Sequence, residues 1–214
     1  MELIVAVEPV RSRYRIRLDN GEVLWFTRSL LEERPLEADD PVDVEELKNW
    51  LLLRQYRPAL EKAVKLLAQR AHSQGEIRQK LLAAGYMDET ADMVLCKLDQ
   101  NGLVNDEDFA GQWAEHRAGM RYGPRRIHAE LKRKGLKESQ VEAALDSIPE
   151  NTMLENAQEL IRRALKRRKP GENLLKFRQR TLAALIRRGF DWDIARQAWE
   201  SESNDPEDPE FPDE

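Results

Sequence analysis

One cysteine, Cys96, and three histidines, His72, His116 and His128, are all that this 214-residue chain offers toward thiol or imidazole chemistry. A lone cysteine cannot close an internal disulfide, which points to a reducing compartment. The histidines do not fall at zinc-ligand spacing with Cys96. Neither a phosphate-cradling glycine loop nor a nucleophile motif appears, so no catalysis, metal or cofactor is expected. Long apolar runs are missing too: Trp50-Leu51-Leu52-Leu53 is the longest obvious cluster, far too short to span a bilayer. The first residues do not join a basic start to an apolar core, as an export signal would. The expectation is a soluble, cytoplasmic, monomeric protein that is not an enzyme.

What the chain does have is a repeat. An apolar pair four residues apart is followed four residues on by a glycine and then an aromatic or leucine: Ile77, Leu81, Gly85, Tyr86; Ile127, Leu131, Gly135, Leu136; and Thr181, Leu185, Gly189, Phe190. The register continues downstream, where Ala91, Val94, Leu95 match Val141, Ala144, Leu145 and Ala195, Ala198, Trp199. The glycines lie 50 and 54 residues apart, near the length of helical repeats. Spacings of three and four put the apolar residues on one helical face, and a glycine just past a helix adopts the left-handed cap cheaply. Each unit therefore reads as helix, short helix, glycine turn, helix.

Different chemistries open equivalent helices, which favours a true repeat over chance periodicity. Ser73-Gln74-Gly75-Glu76 reads as a capping box. Gly123-Pro124 places proline in a first helical turn, and Asn105-Asp106-Glu107-Asp108 puts acids at a helix start. The third unit departs most, with Pro170-Gly171 in a longer connection and Thr181 in place of isoleucine. Trp113, Trp192 and Trp199 fall at helical register positions and are expected in the core.

The first fifty residues differ. Leu3–Val7, Tyr14–Leu18 and Val23–Phe26 are β-prone, and Asn20-Gly21 between the last two predicts a hairpin with positive φ at both turn residues. A three-stranded unit is expected, then a helical turn at Ser29–Glu33, a connector over Pro35–Pro41, and a helix capped by Asp43 with Glu46. The fold class is mainly α: tandem three-helix repeats in an elongated array, preceded by a small β-rich module.

Charge is segregated. Residues 117–190 hold 19 Lys and Arg against 8 Asp and Glu, a net +11 in a chain of net charge −5. The last fifteen, Glu200–Glu214, hold eight carboxylates, three prolines and no basic side chain, and are expected to be a disordered acidic tail. The basic residues also have places. Arg162, Arg163, Lys166 and Arg167 project opposite Ala157, Leu160, Ile161 and Ala164. Lys176, Arg180 and Arg187 line a stripe opposite Leu182, Leu185 and Ile186. Arg121, Arg125, Arg126, Lys132, Arg133 and Lys134 surround the Gly123-Pro124 helix start, with Tyr122 among them. Such a field suits phosphate backbones, although a charged helix surface can also be merely solvated. Tyr122 could stack on a base or be a half-buried loop aromatic.

Ser73–Leu81, Gly102–Ala110, Gly123–Ile127 and Glu130–Leu136 resemble the RecX family, over about residues 57–199. The β-rich start resembles an N-terminal extension of some members. The resemblance implies a bacterial modulator of the RecA recombinase that lies in the groove of the RecA–DNA filament and restrains strand exchange, ATP hydrolysis and the SOS coprotease activity. The chain is expected to divide into a β-rich module (1–42), a linking helix (43–56), three repeats (57–104, 105–149, 150–199) and the tail (200–214). The expected partners are the RecA filament and DNA. The residues expected to meet them are Arg121, Tyr122, Arg125, Arg126, Arg133, Lys134, Arg162, Arg163, Arg167 and Arg187. The alternative is a stand-alone helical DNA-binding protein acting without RecA, since a three-helix unit can present a helix to the major groove.

Overall fold

The computed structural model describes residues 1–149 and 151–203. They form two compact units, Met1–Asn105 and Asp106–Glu214. The first opens with β1 (Glu2–Val10), β2 (Arg13–Leu18) and β3 (Val23–Thr27), then α1 (Arg28–Glu33) and β4 (Pro41–Val42). Alternation decides which side of the sheet is apolar: Ile4, Ile16, Leu18, Leu24 and Phe26 turn inward, while Arg15 and Arg17 turn outward to Glu8.

Two expectations for this module are corrected. The sheet has four strands, in the order β3-β2-β1-β4, because Val42 and Pro41 pair with Glu2 and Leu3. Proline, which lacks an N–H, is tolerated on such an edge strand. In the hairpin only Gly21 has positive φ, at 88°. The Leu18 carbonyl accepts from Gly21 N–H at 3.1 Å, Leu18 N–H donates to the Glu22 carbonyl at 3.0 Å, and the Asn20 side chain accepts from Glu22 N–H at 2.8 Å. A turn with a glycine bulge therefore closes the loop, and Asn20 contributes its side chain instead of a left-handed backbone.

The first unit continues with α2 (Val44–Gln69), α3 (Gln74–Ala83) and α4 (Asp88–Gln100). Asp43 caps α2 through Glu46 N–H, and Ser73 with Glu76 forms the capping box of α3. The division expected at 56/57 falls inside α2, which runs unbroken for 26 residues. Its first half covers the sheet with Leu47 and Leu51, and its second half supplies Ala59 and Ala63 to the first repeat. Between them Gln55, only 4% exposed, donates to the Trp25 carbonyl and accepts from Met87 N–H and Thr90 Oγ1. One amide thus ties sheet, long helix and repeat together.

The second unit holds α5 (Asp106–Gly119), α6 (Pro124–Arg133), α7 (Glu138–Asp146), α8 (Thr152–Leu165), α9 (Leu174–Arg187) and α10 (Trp192–Glu202). In all three repeats the first helix packs against the third. The reason is legible in small residues: Ala59 and Ala63, Ala110 and Ala114, and Ala157 with Ile161 let the first helix approach a core built on Ile77/Leu81, Ile127/Leu131 and Leu182/Leu185. Gly85, Gly135 and Gly189 end the middle helices at φ of 81°, 84° and 92°, the left-handed region that side chains avoid. Thr181 fits the apolar site of the third repeat because its hydroxyl donates to the Phe177 carbonyl one turn back, at 2.9 Å.

Trp199 is fully buried and Trp113 is partly buried against its core, but Trp192 is 44% exposed. Its place in the core is therefore corrected: it opens α10 at the surface. Ile186, expected on the apolar side of α9, is likewise 36% exposed. The expected disordered tail falls mainly on residues 204–214, which lie outside the described residues.

Candidate functional site

The basic residues around the start of α6 are held in place by the third repeat. Gly123 N–H donates to the Arg188 carbonyl at 2.9 Å, and Arg125 N–H donates to the Gly189 carbonyl at 3.0 Å. Arg126 and Ile127 N–H groups turn to the Gly123 carbonyl, and Pro124 has no N–H to give. The leading amides of this helix are thus already engaged.

Arg188 completes the joint. Its Nε donates to the Arg121 carbonyl and its Nη2 to the Met120 carbonyl, both at 3.1 Å. Those carbonyls are presented because α5 ends in a tight turn in which Arg121 has φ of 59°, an uncommon conformation for a side chain of this size. Tyr122, half-buried against the second repeat's core, has three guanidinium groups over its ring: Arg126 at 4.2 Å, Arg188 at 5.0 Å and Arg117 at 5.3 Å. Tyr122 is a packed loop aromatic.

Beneath this cluster sits Glu130, 7% exposed. It accepts from Arg117 Nε at 2.6 Å, Arg126 Nε at 3.2 Å and Trp113 Nε1 at 3.3 Å. Burial pushes its carboxyl up, but the hydrogen bonds from Arg126 and Arg117, the charge of Arg117 and the Trp113 N–H together hold it below the usual carboxylate range. Lys134 lies over the Trp113 ring, its Nζ 3.8 Å from the centroid.

The expected contact residues fall into two groups. Arg125 pairs with Asp191, Arg126 with Glu130, Arg163 with Glu159 at 2.7 Å, and Arg162 with Glu159 and Glu202 at 3.6 and 3.2 Å. Arg163, with Arg162 and Arg121 nearby, keeps the Glu159 carboxyl below its ordinary range. Among the described residues, Arg121, Arg133, Arg167 and Arg187 meet no carboxylate within ion-pair distance; Arg133 only donates back to the Ala129 carbonyl. On α8 the basic side chains are exposed opposite buried Ala157 and Ile161, as the helical register predicts. Sequence reading missed Arg117, Glu130 and Arg188, which position the rest. Their spacing from Tyr122 carried no local signal, apart from the four-residue step from Arg126 to Glu130.

Three tandem three-helix modules, each with its first helix packed on its third, define a class: helical-repeat proteins. Residues 59–98, 105–145 and 151–199 match, in order, the first, second and third three-helix domains of RecX. A regulatory protein RecX of Stenotrophomonas maltophilia (strain K279a) is 37% identical over 146 residues, covering 68% of this chain and 88% of that protein. A regulatory protein RecX of Mycolicibacterium vanbaalenii is 36% identical over 171 residues, covering 75% and 85%. The chain belongs to the RecX family of regulatory proteins. In fold it is similar to a crystal structure of regulatory protein RecX (TM-score 0.61, 22% identity, 94% of this chain and all of that one) and to RecX from Lactobacillus salivarius (TM-score 0.64, 18% identity, 70% and 97%). No described helix is long and apolar enough to cross a membrane.

Proposed function

We propose that this protein binds RecA and the RecA–DNA filament in the cytoplasm, as a monomer, and restrains strand exchange, ATP hydrolysis and coprotease activity. Membership of a regulatory family supports the role, and the charge of residues 117–190 supports the mode of contact. The observation that carries the mode is the set Arg121, Arg133, Arg167 and Arg187: four guanidiniums in one compact unit that meet no described carboxylate at ion-pair distance. Such groups release counterions when they meet phosphates, whereas arginines already paired gain less. Arg125, Arg126, Arg162 and Arg163 would have to exchange a carboxylate for a phosphate, so they act after the free set. Lys134 and Tyr122 shape the surface between them.

The test is RecA ATPase and strand exchange on single-stranded DNA with increasing amounts of the protein. Inhibition below one copy per RecA indicates interference with filament growth; inhibition only near saturation indicates coating of the filament. Absence of any effect overturns the reading. A preference for one duplex sequence without RecA would instead make this a stand-alone DNA-binding protein.

A further inference from the structure

Among the described residues, nothing covers one face of α9 in the third repeat. Leu175, Gln179, Ala183 and Ile186 recur along it at helical spacing, with Leu175 42% and Ile186 36% exposed, while Leu182 beneath them is buried. Gln179, Leu182, Ala183, Ile186, Arg187 and Trp192 line a groove of about 530 Å³ whose walls are almost wholly apolar. Exposed apolar surface rimmed by charge is typical of a docking site.

We propose that the groove is a seat for the chain's own acidic segment, with Phe211 as the anchor and its neighbouring carboxylates covering Arg187. Between 204 and 214 Phe211 is the one large apolar side chain, set among six carboxylates. Arg187, on the groove wall, is a cation with no described carboxylate at ion-pair distance. Reach agrees. α10 leads from Trp192, at the groove, to Glu202, a rise of about 15 Å at roughly 1.5 Å per residue. The eight steps from Ser203 to Phe211 extend to about 26 Å at roughly 3.3 Å each, enough to double back along the whole helix. The aromatic supplies the apolar burial and the carboxylates supply the sign, so the segment and a nucleic acid compete for α9. The docking itself is independent of the function proposed above; only the competition rests on it.

The experiment uses the full chain with Cys96→Ser and Glu210→Cys, a nitroxide on the new thiol, and labelled methyl groups. Broadening of the Leu182 and Ile186 methyl resonances, lost when Phe211→Ala is added, is the expected result. No broadening overturns the docking. Broadening that survives Phe211→Ala overturns the anchor. Broadening that appears when spin label and isotope are on different molecules assigns the groove to a second copy and overturns the intramolecular seat. Phe211→Ala should also tighten binding to oligo(dT) at low salt and change it little at high salt, where the carboxylates are screened. If docking is seen but affinity is unchanged, the competition is overturned and the docking stands. If neither protein binds DNA, the competition is overturned and the docking stands, while the functional proposal is decided by the RecA assays.

Discussion

A methyl group placed on Gly123 would lie 2.2 Å from the carbonyl carbon of Gly189 and as close to the amide nitrogen of Phe190. The start of one repeat's middle helix and the glycine turn of the next are thus in backbone contact, which no side chain can enter. The atoms met are main chain, so they cannot swing aside as a flexible side chain would. Gly123→Ala should cost at least the roughly 1–3 kcal/mol typical of overpacking. Urea denaturation checks this, and loss of hydrogen-exchange protection at the Arg125 amide locates it. Wild-type stability in the variant would sink the contact.

Arg121 holds a left-handed backbone at a cost of about 1–2 kcal/mol for an L side chain. Its buried Nε has no hydrogen-bond partner among the described residues. Glycine removes both penalties but gives back about 0.5–1 kcal/mol in unfolded-state entropy. On the backbone terms alone Arg121→Gly should therefore be more stable by up to about 1.5 kcal/mol, yet bind DNA less tightly. Thermal unfolding and a salt titration of DNA binding, run on the same sample, separate the two effects.

Glu130 should make the second unit sensitive to acid. Its folded carboxyl titrates below the unfolded value, so the stabilisation is complete above about pH 4.3, the ordinary glutamate range, and is lost as pH falls through the folded value. Glu130→Gln should lower stability near neutral pH by about 1–3 kcal/mol, because Arg117 and Arg126 lose their charged acceptor. It should also flatten the acid limb of the stability curve. A variant with an unchanged acid limb would show that other carboxylates control it.

Phosphate contact is read most directly from salt dependence. Arg167→Gln and Arg187→Gln should each reduce the slope of log K against log salt by about 0.9 on duplex DNA, or about 0.7 on single strands. Arg125→Gln, whose guanidinium is paired with Asp191, should reduce it less. Equal effects at all three positions would contradict the division into free and neutralised arginines.

In the first unit, Gln55→Leu removes the acceptor of Met87 N–H and Thr90 Oγ1 and the donor to Trp25. Leaving those groups unpaired should cost about 1–3 kcal/mol. Loss of protection in both the β module and α4 on hydrogen exchange would show that they depend on this one amide.

The helices, their glycine caps and the Ser73 capping box were legible because each is a local device: an apolar stripe, a missing Cβ, or a hydroxyl three residues before a glutamate. The β module was legible in outline, but β4 was not, since two residues, one of them a proline, carry no strand signal until β1 lies next to them. Register alone puts Ile186 opposite the basic stripe of α9 and Trp192 in the core, yet both are exposed. Register says which residues share a face; it does not say whether anything covers that face.

The candidate site divides the same way. That positive charge gathers between residues 117 and 190 is a property of the sequence by itself, and so is the threefold repetition of the helical unit, because both rest on residue type and near spacing. Which arginines keep their charge at the surface was decided only by the tertiary structure. Asp191 reaches Arg125, and Arg188 reaches the Arg121 carbonyl, across more than sixty residues of chain. Neutralisation depends on distance in space, and distance in space is set by packing.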